Sequence, residues 1–195
     1  MGRMDAQALR DGILEKYRRV ALTPAGHFKY PVGEASALQL GYLADLLTTI
    51  PAAVRERFVG VGNPFALGPV AVGESVLDLG CGAGLDTLIA AQTVGPTGRV
   101  AGVDLSAEML AIAEAGRAEG WFDAVEFKLA DVQDLPYPAG HFDVALSNGV
   151  LNLVPDKPRA LREIHRVLRP GGRLQACDIG LAGEEPPPEK APWSD

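Results

Sequence analysis

Val76-Leu77-Asp78-Leu79-Gly80-Cys81-Gly82-Ala83-Gly84-Leu85 decides the fold of this 195-residue chain. An apolar run carrying one acid ends in three alternating glycines, and Leu88, Ile89 and Gln92 continue at helical spacing. That order reads as strand, tight turn and helix. Gly80, Gly82 and Gly84 have no Cβ to hold a ligand off the backbone, and they tolerate positive φ. A helix beginning near Ala83 would turn the free N–H groups of its first turn toward the same space. Such a site suits a nucleoside-bearing ligand. A dinucleotide loop, G-x-G-x-x-G, needs its third glycine where Leu85 stands, whereas the spacing here is D-x-G-x-G-x-G.

From residue 75 onward strands and helices alternate. Strands are expected over 75–79, 99–103, 125–129, 141–147 and 173–179. Gly95-Pro96-Thr97-Gly98 ends the first crossover helix, and Ser106 caps the next, with Glu108 in its first turn. A helix from near Asp156 carries Leu161, Ile164 and Leu168 inward until Arg169-Pro170-Gly171-Gly172 stops it. This alternation predicts an α/β fold: a Rossmann-like, doubly wound, mostly parallel sheet with helices on both faces.

Residues 1–60 read as an N-terminal helical segment. One helix is expected over 5–20, with Leu9, Ile13, Tyr17 and Val20 on one face and a solvated basic cluster elsewhere. A second is expected over 36–48, and Pro51 opens a short one running to about Phe58. Between the first two, residues 23–33 interleave aromatic side chains with turn formers, as a lid over the pocket or as a plain connection. Residues 61–182 form the expected binding domain. The proline-rich stretch 183–195, with Pro186-Pro187-Pro188, is expected to be an extended, mobile tail.

A formal charge of -7 argues against a phosphate-backbone footprint, so nucleic acid is not an expected partner. No apolar run reaches the roughly 18 residues of a membrane span, so no membrane partner is expected either. The opening residues, with Arg3, Asp5 and Arg10, lack a signal-peptide core. Cys81 and Cys177 form neither a disulfide framework nor a metal-ligand spacing, so no metal is expected. The plain reading is a cytoplasmic protein.

In a doubly wound sheet the ligand lies outside the carboxyl ends of the strands. Asp104 falls at such an end, 26 residues after Asp78, near the spacing at which an acid binds ribose hydroxyls. Asp131 ends the third strand, where an acceptor could take a proton from an exocyclic amine while Val132 walls the ring. Ser147-Asn148-Gly149 follows the fourth strand, where backbone carbonyls and the Asn148 amide could approach a methyl donor.

Over about residues 58–182 the chain resembles small-molecule S-adenosylmethionine-dependent methyltransferases of the class I, Rossmann-like type. The resemblance is closest to the arsenite methyltransferase group, with the quinone-biosynthesis type sharing the glycine loop and Arg169-Pro170-Gly171-Gly172. Gly62-Asn63-Pro64, Gly102-Val103-Asp104-Leu105-Ser106 and the narrower Asn152-Leu153-Val154-Pro155-Asp156-Lys157 carry it. The resemblance implies that Asp78, Gly80, Cys81, Gly82 and Gly84 hold the methionyl part of S-adenosylmethionine. It assigns Asp104, beside Leu105, to the ribose and Asp131 with Val132 to the adenine.

Two departures qualify it. Arsenite enzymes place cysteines where Val61 and Gly149 stand, and trivalent arsenic needs several thiolates, so arsenite is not the expected acceptor. The family's sheet also continues beyond the fifth strand with a helix and an antiparallel hairpin, so a C-terminally truncated sheet is expected. Its exposed fifth strand would then pair with a second copy in a homodimer. The expected activity is methyl transfer to a small-molecule acceptor, with His27 as the one candidate base. Two alternatives stay open: a non-catalytic relative that binds the cofactor or a partner, and a nicotinamide-dependent dehydrogenase.

Overall fold

The computed structural model describes residues 6–120 and 122–180. The expected tail over 183–195 lies outside the described residues. The glycine-rich stretch folds as read: β1 (Ser75–Leu79) runs through a turn into α5 (Leu85–Val94). Among the described residues four α-helices precede it, α1 (Ala6–Leu22), α2 (Gly33–Gln39), α3 (Ala44–Thr48) and α4 (Ala52–Arg55). After it come β2 (Arg99–Asp104), α6 (Ala107–Glu119), β3 (Val125–Leu129), β4 (Phe142–Asn148), α7 (Lys157–Val167) and β5 (Leu168–Cys177).

All four strand pairings are parallel, in the order β3-β2-β1-β4-β5. The chain winds outward from β1 to β3, then restarts on the other side of β1 with β4. That reversal opens a crevice between the carboxyl ends of β1 and β4. Both sheet faces are covered, as parallel strands require. Val76, Val100, Val144 and Leu146 pack on one side with Leu88 and Ile89 of α5. Leu77, Leu79, Val103 and Ala145 pack on the other with Ile164 and Val167 of α7.

Three expectations are corrected. The helix over 36–48 is two helices, because Gly41 takes φ +86°. Gly41 N–H donates to the Leu38 carbonyl at 3.1 Å and Tyr42 N–H to that of Ala37 at 3.1 Å, a glycine stop that swings Tyr42 inward. In α7, Leu161 points outward and is 48% exposed, while Ala160, Ile164 and Val167 are buried. Ile164 faces the core as expected and Leu168 packs partly against it, so Leu161 alone departs and Ala160 takes its place on the buried face. Finally, Arg169-Pro170-Gly171-Gly172 does not separate helix from strand: α7 ends at Val167 and these residues already belong to β5, with a register irregularity opposite Phe142/Val144. Proline is tolerated there because β5 is an edge strand of the described sheet.

Candidate functional site

The turn after β1 runs through Gly80 at φ +63°, Gly82 at +54° and Gly84 at +91°. A Cβ on Gly80 would stand 2.5 Å from Val150 Cγ2, so the turn closes against β4's exit loop only without a side chain. Hydrogen bonds then fold the turn onto the end of β2. Cys81 N–H donates to the Val103 carbonyl at 3.0 Å, and Gly82 N–H to Asp104 Oδ2 at 2.8 Å. The other oxygen of Asp104 accepts Ser106 N–H at 2.8 Å, and Ser106 Oγ caps α6 by accepting Met109 N–H at 3.2 Å. Each Asp104 oxygen thus keeps a lone pair beyond its backbone bond, which is the capacity a ribose diol would use.

A cavity lies over these strand ends. Asp78, Gly80, Cys81, Gly82, Asp104 and Leu105 line it from the turn and β2, and Asp131, Val132 and Asn148 line it from the β3 and β4 ends. Gly84 is the exception among the sequence candidates. A Cβ there would meet Phe127 Cζ at 3.0 Å and Ala113 Cβ at 3.1 Å, so Gly84 serves the packing of α5 and the N-cap of that helix.

The floor of the cavity is acidic and buried. Asp78 is 2% exposed, and Thr87 Oγ1 donates to its Oδ2 at 2.6 Å. Asp86, in the first turn of α5, is 6% exposed; Tyr42 Oη donates to its Oδ1 at 2.6 Å and Asn148 Nδ2 to its Oδ2 at 3.0 Å. Burial pushes the Asp78 carboxyl well above the usual carboxylate range and Asp86 up to about 6, with the Tyr42 and Asn148 donors opposing the shift in Asp86. Asp104 is raised by burial as well.

Asn148 departs from its expected role. Its Oδ1 accepts Val61 N–H at 2.8 Å and Gly62 N–H at 3.1 Å, and its Nδ2 also donates to the Gly62 carbonyl at 2.9 Å. The amide is committed to protein on both ends. It clamps the 61–62 turn to β4 rather than reaching outward.

The roof is α1, whose Arg10, Ile13, Leu14 and Tyr17 line the cavity. Arg10 forms an ion pair with Asp131, so one member of the expected solvated basic cluster turns inward. Asp131 also accepts Gln133 N–H at 2.8 Å. Arg18 fixes the helix to α6 through Glu108 at 2.8 Å. The loop over 23–33 covers a second cavity instead, where Phe28, Lys29 and Tyr30 meet Lys16 and Val61. His27 lines neither cavity; its N–H donates to the Pro24 carbonyl at 3.4 Å within a turn, so its candidacy as a base is withdrawn. Among the described residues no group of three or more His, Cys, Asp and Glu could hold a metal ion.

Three contributors escaped the sequence reading: Asp86, Tyr42 and Arg10. Asp86 had a signal, an acid in the first turn after the glycine loop. Tyr42 and Arg10 had none, because both act across long sequence separations.

Comparison with known proteins agrees with this geometry. Residues 71–192 match the profile of a methyltransferase domain. An arsenite methyltransferase of Halobacterium salinarum is 44% identical over 147 residues, 75% of this chain and 37% of that protein. A demethylmenaquinone methyltransferase of Symbiobacterium thermophilum is 42% identical over 106 residues, 52% of this chain and 41% of that one. Among solved structures, an arsenic(III) S-adenosylmethionine methyltransferase from Chlamydomonas reinhardtii superposes with a TM-score of 0.57 at 32% identity, covering 76% of this chain and 50% of that chain. The chain spans half or less of the length of these relatives. With the parallel sheet, the glycine turn and the acid at the end of β2, the matches establish that the chain belongs to the class I S-adenosylmethionine-dependent methyltransferases.

Proposed function

We propose that this chain binds S-adenosylmethionine in the cavity over the β1, β2 and β4 ends and transfers its methyl group to a small-molecule acceptor. The observation that carries the reading is the charge of the cavity. Asp78 and Asp86 are buried around it, Asp104 is half-buried, and its Arg10 is already paired with Asp131. A sulfonium with an amino group meets complementary charge there, whereas the pyrophosphate of a nicotinamide dinucleotide would meet repulsion.

On this reading Asp78 and the backbone of Gly80, Cys81 and Gly82 face the methionyl end. Asp104 accepts from the ribose diol beside Leu105. Asp131 accepts from the adenine amine against Val132. Asn148 serves by fixing the cavity floor. Calorimetry with S-adenosylmethionine, S-adenosylhomocysteine and NAD tests the assignment. The first two are expected to bind and NAD is not; NAD binding alone would sink it.

The free thiols of Cys81 and Cys177 support a reducing, cytoplasmic setting. No helix among the described residues is long and apolar enough to cross a membrane. For assembly we favour pairing through the outer edge of β5, which has no neighbouring strand in the described sheet. Light scattering that reads a monomer at every concentration would reject that pairing.

A further inference from the structure

Arg57 lies just past α4 and lines the cavity over the strand ends, beside Val54, Phe58 and Gly60. Its Nε donates to the Ala21 carbonyl at 2.8 Å and its Nη1 to the Ala53 carbonyl at 3.1 Å. These bonds tie the side chain to the end of α1 and to α4, and they use two of the five N–H groups of a guanidinium. Among the described residues no carboxylate pairs with Arg57. Two other arginines of the N-terminal segment do find one: Arg10 pairs with Asp131 and Arg55 with Glu34.

Its neighbours place this cation at one end of the cavity. Ala21, which accepts the Nε bond, packs in one cluster with Val20, Met109 and Ala83 of the glycine turn. Further along, Gly60 runs so close to Asn148 that a Cβ would stand 2.4 Å from Nδ2, the atom that donates to Asp86. The segment carrying Arg57 therefore borders both the glycine turn and the Asp86 side of the floor. On the donor reading, that is where the methionyl part of the cofactor lies.

We infer that Arg57 holds the carboxylate of that methionyl part. The inference rests on the donor reading of the same cavity. S-adenosylmethionine brings a sulfonium, an ammonium and one carboxylate. Asp78, Asp86 and Asp104 answer its cations but would repel its carboxylate, and Arg10 is taken by Asp131. Arg57 keeps three N–H groups, enough for two parallel bonds to one carboxylate. Its bonds to the two carbonyls already fix the side chain, so little rotamer freedom is lost when the ligand docks. Arg57 then separates adenosyl thioethers that carry a complete amino-acid end from those that lack the acid.

Three thioethers sharing the adenosyl group test this by calorimetry: S-adenosylhomocysteine, its decarboxylated analogue, which keeps the amine, and methylthioadenosine, which keeps neither group. The parent protein is expected to bind S-adenosylhomocysteine at least ten-fold tighter than the decarboxylated analogue. Arg57→Gln should erase that preference while methylthioadenosine binds within two-fold of the parent. Equal affinities for the first two ligands in the parent would overturn the inference. So would a preference that survives in Arg57→Gln, or a variant that weakens all three ligands alike, as loss of the carbonyl bonds alone would do. Arg57→Lys keeps the charge without the fork and carries the test if the Gln variant fails to fold. Its preference should fall several-fold, and an undiminished one would overturn the inference. Failure of all three ligands to bind the parent would reject the donor reading and this inference with it. Binding of all three without a preference would reject the role of Arg57 alone.

Discussion

The two cavities share a seam and differ in the ionisable side chains that line them. The one over the strand ends is floored by Asp78, Asp86 and Asp104, all drawn from the sheet and the elements that follow its strands. The other takes its cations, Lys16 and Lys29, from the N-terminal segment. Each chamber is thus lined largely by a different part of the chain. The acidic chamber is rigid by construction, since nearly every acid in it is tied to a backbone or hydroxyl donor. The basic chamber is assembled from α1 and a loop, both closer to solvent.

The seam offers the most damaging way to break this arrangement. Asn148→Ala removes the clamp that joins β4 to Val61 and Gly62 and leaves Asp86 with one donor fewer. Loss of several buried hydrogen bonds at once should destabilise the protein by about 3 kcal/mol. Urea unfolding reads this as a lowered midpoint. A change below about 1 kcal/mol would show that the clamp is not what joins the chambers.

Next in size is the acidic chamber itself. Asp104→Ala should weaken S-adenosylmethionine binding by about 2 kcal/mol, the scale of hydrogen bonds to a charged group. Asp104→Asn keeps an acceptor for either Gly82 or Ser106 and should lose less. Calorimetric affinities unchanged in folded variants would remove Asp104 from the site.

Protonation sharpens the contrast further. Asp86 sits at about 6 in the folded protein against an ordinary 3.8, so between those values the folded state holds more protons than the unfolded one. Its contribution to stability therefore improves as pH falls from about 6 toward 4, and is unfavourable above 6. A cationic ligand favours the ionised form, so S-adenosylmethionine binding near pH 6 should release up to about half a proton, the share that Asp86 holds there. Titrations in buffers of different ionisation enthalpy measure that number; zero release would mean that Asp86 does not feel the ligand.

The smallest effect concerns the roof. Arg10 is partly exposed, and its pair with Asp131 is worth at most about 1 kcal/mol. Arg10→Gln frees Asp131 and should change cofactor affinity less than ten-fold, with faster association as α1 loosens. Stopped-flow fluorescence of cofactor binding reads the rate, and an unchanged association rate would show that the pair does not govern access.

Much of the acidic chamber was legible from sequence because its parts are local. A β-rich apolar run, three glycines and a helical repeat specify β1, the turn and α5 by short-range sterics, and acids at strand ends follow from the alternation. The five parallel strands and the places of Asp78, Asp104 and Asp131 came from that pattern alone. The tertiary structure decided what the pattern cannot encode. Gly84 looks like its neighbours in the loop, yet Phe127 and Ala113 claim its open side. Asn148 looked like a ligand-facing amide until the 61–62 turn and Asp86 consumed it. The basic helix read as a solvated surface until packing laid α1 over the cavity and turned Arg10 inward. Local periodicity fixes which residues share a face. Only the folded chain, by joining Tyr42, Asp86 and Asn148 across long stretches of sequence, sets which faces meet and what charge each chamber holds.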